Sequence, residues 1–121
     1  MGHHLTDTEA FLRSVHPYDS LSPSDLRETE AAFEVAEAAE GETIYRFGDA
    51  ITGLYLIVSG EVEITDANGT TVSVLGPRNS FGERGLMRDG RAVTAARATS
   101  AARLLILPKA HFESLLAANP A

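Results

Sequence analysis

Between Ser80 and Ala96 the chain reads SFGERGLMRDGRAVTAA. One carboxylate, Glu83, stands between two glycines, and three arginines follow it, Arg84, Arg88 and Arg91. The run from Phe81 through Gly82, Glu83, Arg84 and Gly85 to Leu86 predicts a tight turn that enters a short helix. Gly82 and Gly85 would let backbone N–H groups come close to a ligand, because glycine has no Cβ. The first N–H groups of a helix have no internal partner and favour phosphate. A carboxylate facing that turn could accept hydrogen bonds from a sugar hydroxyl. Arg91 brings a planar fork suited to phosphate oxygens. The residues alone leave two readings open, an anion site and a charged surface loop.

Other chemistry finds little support. The chain has no cysteine, which leaves out disulfides, zinc–thiolate sites and thiol catalysis. There is no G-x-S-x-G stretch of the kind that sets up a nucleophilic serine. Only His16 and His111 lie away from the N-terminal His3-His4 pair, without the close strand spacing of a metal site. Glu61 and Glu63 alternate along a strand and read as a solvated face. No catalytic residue, metal ligand or cofactor is expected.

Charge is unevenly spread. The net charge is −7, which argues against direct nucleic-acid binding. Residues 1–66 hold 14 acids and 3 Lys/Arg, whereas residues 67–121 hold 3 acids and 7 Lys/Arg. Either the halves neutralise one another in the fold, or the arginines line a cationic pocket. No apolar run approaches the ~20 residues that a membrane span needs, and no signal-peptide pattern opens the chain. The expected setting is therefore cytoplasmic, without a membrane.

The elements that must position the Ser80–Ala96 run are short. At 121 residues the expectation is one domain. Helices are predicted over about 6–33: a capping box at Thr6 and Glu9 opens one, and Ser22-Pro23-Ser24-Asp25 opens the next. A β-roll over about 34–107 follows, where the period changes to two. Leu54, Leu56 and Val58 share one face of a strand, with Tyr55 and Ile57 on the other. Val62 and Ile64 alternate in a second strand, and Val72 and Val74 in a third. Asn68-Gly69 joins the last two as a hairpin turn. Two weaker strands surround Gly41, and RLLILP is a buried one. A closing helix over about 109–118 puts Phe112, Leu115 and Leu116 on one face. The whole predicts a mainly β fold with flanking helices, an antiparallel jelly-roll sandwich or barrel of about eight strands.

The ordered stretches resemble the cyclic nucleotide-binding domain family, the regulatory module of cAMP-dependent kinases, bacterial catabolite activators and gated channels. GETIYRFGD is similar to G-E-x-[IL]-x-x-x-G-[DE], and LYLIVSGEVEI to L-Y-x-I-x-x-G-x-V-x-[IV]. FGERGL resembles the start of the family's phosphate-binding cassette, and Arg91 resembles the cassette arginine. The likeness covers about residues 11–118.

The resemblance implies ligand-binding roles for Phe81, Gly82, Glu83, Arg84, Gly85, Leu86, Arg91, Ala92 and Val93. Glu83 would bind the ribose 2′-hydroxyl, and Arg91 the exocyclic phosphate oxygens. N–H groups of Gly85 and Ala92 would complete the phosphate cradle, Leu86 would sense occupancy, and Val72 and Val74 would flank the base. The implied ligand is cAMP or a related cyclic nucleotide, with Ala92 favouring cAMP over cGMP. The implied function is a regulatory domain that relays occupancy to attached domains. A degenerate module of the same fold, acting in interaction or dimerisation, is the alternative, and a homodimer is compatible with either.

The sequence departs from the family at five places, one of them the segment between Glu83 and Arg91, about one residue shorter than common. Arg84 replaces an apolar residue, Asn79 an acid, and Gly90 the proline before the cassette arginine. One extra residue follows Arg91, and a one-residue slip in a strand would flip its side chains and turn Arg91 outward. SFGERGLMRDGRA with LLILP also resembles a bacterial group in which this module precedes CBS domains and a nucleotidyltransferase-like domain. The family's signalling helices normally continue beyond LLAANPA, so an excised or truncated domain is expected.

Overall fold

The computed structural model describes residues 11–15, 18, 21–83, 85 and 90–118. Two compact units divide at Phe33. In the first, residues 11–13 are helical and helix α1 spans Pro23–Ala32. The Ser22 hydroxyl accepts from the Asp25 N–H, with Pro23 at the first turn, so the predicted start signal works as a cap. Leu12, Val15, Leu26 and Thr29 are buried, and Tyr18 meets Phe33 edge to face at 5.8 Å. The Thr6–Glu9 capping box lies outside the described residues.

The second unit holds eight strands: β1 Glu34–Ala38, β2 Thr43–Tyr45, β3 Gly53–Ser59, β4 Val62–Thr65, β5 Thr71–Leu75, β6 Ser80–Phe81, β7 Ala95–Ala98 and β8 Ala102–Pro108. They form two four-stranded antiparallel sheets, ordered β1-β8-β3-β6 and β2-β7-β4-β5. Helix α2, Lys109–Ala118, follows β8 directly. Leu115 and Leu116, predicted to share a face with Phe112, have side chains outside the description. The architecture is the antiparallel β-sandwich that the alternating segments predict.

β3 and β8 lie inside their sheet, and Leu56, Ile57, Leu104 and Leu107 are fully or almost fully buried there. In the other sheet Val62, Ala96 and Ala98 are equally enclosed. β5 differs from its sequence reading. Its alternation suggested one buried face, yet Val72 is 53% and Val74 56% exposed. β5 is an edge strand, paired with β4 alone.

The charge asymmetry resolves in part into pairs between the two halves of the chain. Arg97 on β7 contacts Glu63 on β4 at 2.9 Å, and Arg103 on β8 contacts Glu37 on β1 at 3.0 Å. Glu63 also accepts from the Thr71 hydroxyl on β5. The Thr71 bond first and Arg97 second hold its carboxyl below the usual carboxylate range. Glu61 accepts from the Thr99 hydroxyl at 2.8 Å. The carboxylates read as a solvated face thus tie neighbouring strands together.

Candidate functional site

Gly82 takes φ +90°, and Glu83 and Gly85 are helical, so the turn entering a helix forms as FGERGL predicts. A Cβ at Gly85 would sit 2.8 Å from the Arg91 carbonyl oxygen and 3.0 Å from Ile51 Cγ1. Only glycine lets the start of the run pass this close to its end. The Gly90 N–H donates to the Gly85 carbonyl at 2.8 Å and closes the excursion between them. Arg84 and Leu86 lie outside the described residues.

The end of the excursion is fixed to the turn before β3. The Ile51 N–H donates to Gly90, the Gly48 N–H to Ala92, and the Ala92 N–H to Asp49, at 2.7–2.8 Å. Ala50 and Arg91 form an isolated antiparallel bridge. The Ala92 N–H, expected in the phosphate cradle, donates here to the Asp49 carbonyl. The Arg91 side chain is exposed, and its Nη1 donates to the Gly48 carbonyl at 3.1 Å.

Val93 and Thr94 form a bend, and β7 starts at Ala95 with Ala96 and Ala98 buried. β2 shows a register irregularity against β7, between Thr43 and Tyr45. Ala96 and Ala98 are the buried residues of β7.

A cavity of about 460 Å³ opens here. Ile64, Val72, Ser73 and Leu75 line it from β4 and β5. Ser80, Phe81, Gly82, Glu83 and Gly85 line it from the turn. Ile51, Ala92, Val93 and Thr94 close it, with Tyr45 from β2. Of the residues singled out from sequence, Phe81, Gly82, Glu83, Gly85, Ala92 and Val93 come together on this cavity. Arg91 is adjacent to it in sequence but is not part of its lining, and of the two valines only Val72 reaches it.

Tyr45 and Thr94 are lining residues that sequence reasoning missed. Tyr45 belongs to an aromatic cluster: its ring centroid lies 5.6 Å from Tyr55 and 6.0 Å from Phe81, and Tyr55 stacks on Phe81 at 4.9 Å. Burial pushes the Tyr45 phenol above its ordinary range, offset in part by a hydrogen bond with the Thr94 side chain. Burial pushes Tyr55 up as well. The volume falls within the usual span of small-molecule pockets, and the mixture of apolar walls and few polar groups fits one. Among the described residues no cluster of His and acidic side chains could hold a metal, and no helix is long and apolar enough to cross a membrane.

Comparisons with known proteins agree with this geometry. Residues 35–119 match the model of the cyclic nucleotide-binding domain. The cAMP-dependent protein kinase regulatory subunit of Blastocladiella emersonii is 33% identical over 112 residues, which cover 89% of this chain and 28% of that protein. The potassium voltage-gated channel unc-103 of Caenorhabditis elegans is 37% identical over 68 residues, covering 56% of this chain and 8% of the channel. The chain spans less than a third of the length of the curated relatives it matches. Among solved structures, the sensor domain of the transcriptional regulator DNR from Pseudomonas aeruginosa superposes with a TM-score of 0.87 at 24% identity, over 97% of this chain and 81% of that one. The regulatory domain of Toxoplasma gondii PKA with cAMP superposes at 0.83 and 26%, over 94% of this chain and 45% of that one. With two antiparallel sheets, a glycine-bounded Glu83 turn on a cavity and a family match over residues 35–119, this chain belongs to the cyclic nucleotide-binding domain family.

Proposed function

We propose that the chain is a ligand-sensing regulatory domain whose cavity takes a cyclic purine nucleotide, cAMP before others. The observation that carries the reading is the convergence of Phe81, Gly82, Glu83, Gly85, Ala92 and Val93 on one cavity. Glu83 accepts from the ribose 2′-hydroxyl, and the apolar walls that include Val72 and Leu75 take the base. Arg91 leaves the Gly48 carbonyl for the exocyclic phosphate, since an anionic oxygen is a stronger acceptor than a neutral one. Gly85 offers its N–H to the same phosphate, Arg84 flanks it, and Leu86 senses occupancy. Occupancy is relayed through helix α2 to attached domains, in a cytoplasmic setting.

A second reading is favoured by two observations: Arg91 is held by Gly48, and the Ala92 N–H by Asp49. In that reading the module binds no nucleotide and acts in interaction or dimerisation. Thermal unfolding with millimolar cAMP, cGMP, AMP and ATP separates the two. A ligand at 100 times its dissociation constant adds about 2.7 kcal/mol, which raises Tm by roughly 8–15 °C in a protein of this size. The expected result is a rise of that order with cAMP and a smaller one with cGMP. No rise with any of the four selects the second reading.

A further inference from the structure

Two antiparallel sheets leave four edge strands, β1 and β6 in one and β2 and β5 in the other. An exposed edge invites pairing with another chain, and proteins blunt such edges with charge, proline or brevity. β1 carries the exposed Glu34 and Glu37, β2 has three residues and β6 two. β5 has five residues, Thr-Val-Ser-Val-Leu, with neither charge nor proline. Among the described residues it pairs with β4 alone. Its irregularity against β4 falls at the Thr71 end, and residues 73–75 pair regularly with residues 62–64. Ser73 and Leu75 stand opposite the buried Ile64 and Val62, while Val72 and Val74 are more than half exposed. Glu63, opposite Val74, is engaged by Arg97 and by the Thr71 hydroxyl, so its charge is already compensated beside the valines.

We propose that β5 is the seam of a homodimer, in which it pairs antiparallel with the β5 of a second copy about a two-fold axis. The interface is then isologous, the same patch on both sides. Centring the axis on Ser73 pairs all five residues and sets each Val72 against Val74 of the partner subunit. Cross-strand pairs of β-branched residues stabilise a sheet, and strand addition satisfies the open backbone groups of both edges. The ends match in charge as well. In this register the turn at residues 66–69, with Asp66, lies beside the partner subunit's Arg78, which is exposed in the turn at residues 76–79. Among the described residues Arg78 is the one non-glycine with positive φ, 75°, a conformation that glycine takes more easily. A contact across the seam accounts for an arginine at that position. The seam does not depend on a nucleotide and holds in either functional reading. It runs along the strand that gives Ser73 and Leu75 to the cavity.

Sedimentation equilibrium of the wild type, Val74→Lys and Arg78→Asn tests it. A five-residue strand pair is small beside the interface of a stable complex, so the wild type should pass from monomer to dimer between about 10 μM and 1 mM. Val74→Lys sets a charge against Val72 of the partner subunit twice over, and should raise the dissociation constant by about tenfold or more. Val74 is exposed, so that variant should melt within about 4 °C of the wild type. Asparagine tolerates positive φ. Arg78→Asn should weaken association by about two- to fivefold at low salt, and by less at high salt. A wild type that stays monomeric throughout overturns the proposal. So does a dimer that Val74→Lys leaves within about twofold of the wild type. Association by Arg78→Asn equal to the wild type at low salt overturns the register centred on Ser73.

Discussion

Replacing Arg91 by alanine should lower cAMP affinity by a few hundred- to a few thousand-fold, without unfolding the protein. A hydrogen bond to a charged group contributes about 1.5–3 kcal/mol. A guanidinium that grips phosphate with two of them is therefore worth about 3–5 kcal/mol, which is that change in affinity. Arg91→Lys should recover only part, because an ammonium cannot reproduce the fork. The unliganded variant should melt close to the wild type. The side chain is exposed, and its Nη1 donates to a backbone carbonyl, that of Gly48. The backbone bonds that fix residues 90–92 do not involve the side chain. Titration calorimetry reads the affinity, and a melt reads the fold. A loss below about tenfold, with the wild type binding, would mean that Arg91 stays on Gly48 and that the phosphate is held by other groups.

The largest loss of stability should come from Gly60→Ala, at the turn between β3 and β4. Gly60 takes φ +90°, and a Cβ there would lie 2.4 Å from the Ala101 carbonyl oxygen and 2.6 Å from Ala102 Cα. Both obstacles are backbone atoms and cannot rotate away. The left-handed conformation costs an L-residue about 1–2 kcal/mol, and overpacking adds roughly 1–3 kcal/mol. The sum, about 2–5 kcal/mol, should lower Tm by roughly 10–20 °C. Gly69→Ala is the control, because its φ is +81° but nothing lies within 4 Å of the added methyl. It should suffer the conformational cost alone. Circular-dichroism melts of the two variants check the difference, and equal losses would show that the Ala101–Ala102 backbone yields.

Much of this molecule could be read in advance because local signals and tertiary demands agree. β3, β4, β5 and β8 announce themselves by alternating or continuous apolar residues, and Ser22-Pro23 caps its helix as predicted. β7 gave no such signal. Its sequence, Ala-Ala-Arg-Ala, is closer to a helix former. It is a strand because β2 and β4 pair with it on either side, and the buried Ala96 and Ala98 suit an interior position. β6 is only two residues long, too short for any period.

The site divides in the same way. Glu83 and its glycines were legible because backbone geometry restricts which residues can occupy such a turn. The hydrogen bonds of Arg91 and Ala92 were not, since they depend on where the Gly48–Ile51 turn comes to rest. Tyr45 looked like an ordinary aromatic in a weak strand. Thr94 carried no local signal, and it lies in the bend at Val93–Thr94.

The turn from Gly48 to Thr52 has a consequence for how the molecule opens. Its backbone is bonded to Gly90 and Ala92, and the next carbonyl along, Thr52, accepts from the Lys109 N–H at the start of α2. Two separate segments, Gly90–Ala92 and Lys109, thus share one five-residue strip of partners. Breaking that strip exposes the amides of Gly48, Ile51, Ala92 and Lys109 in a single event. In exchange with deuterated water these four protons should open as one cooperative unit with a common free energy. Whatever loosens the Gly90–Ala92 end of the strip loosens the root of the last helix by the same amount.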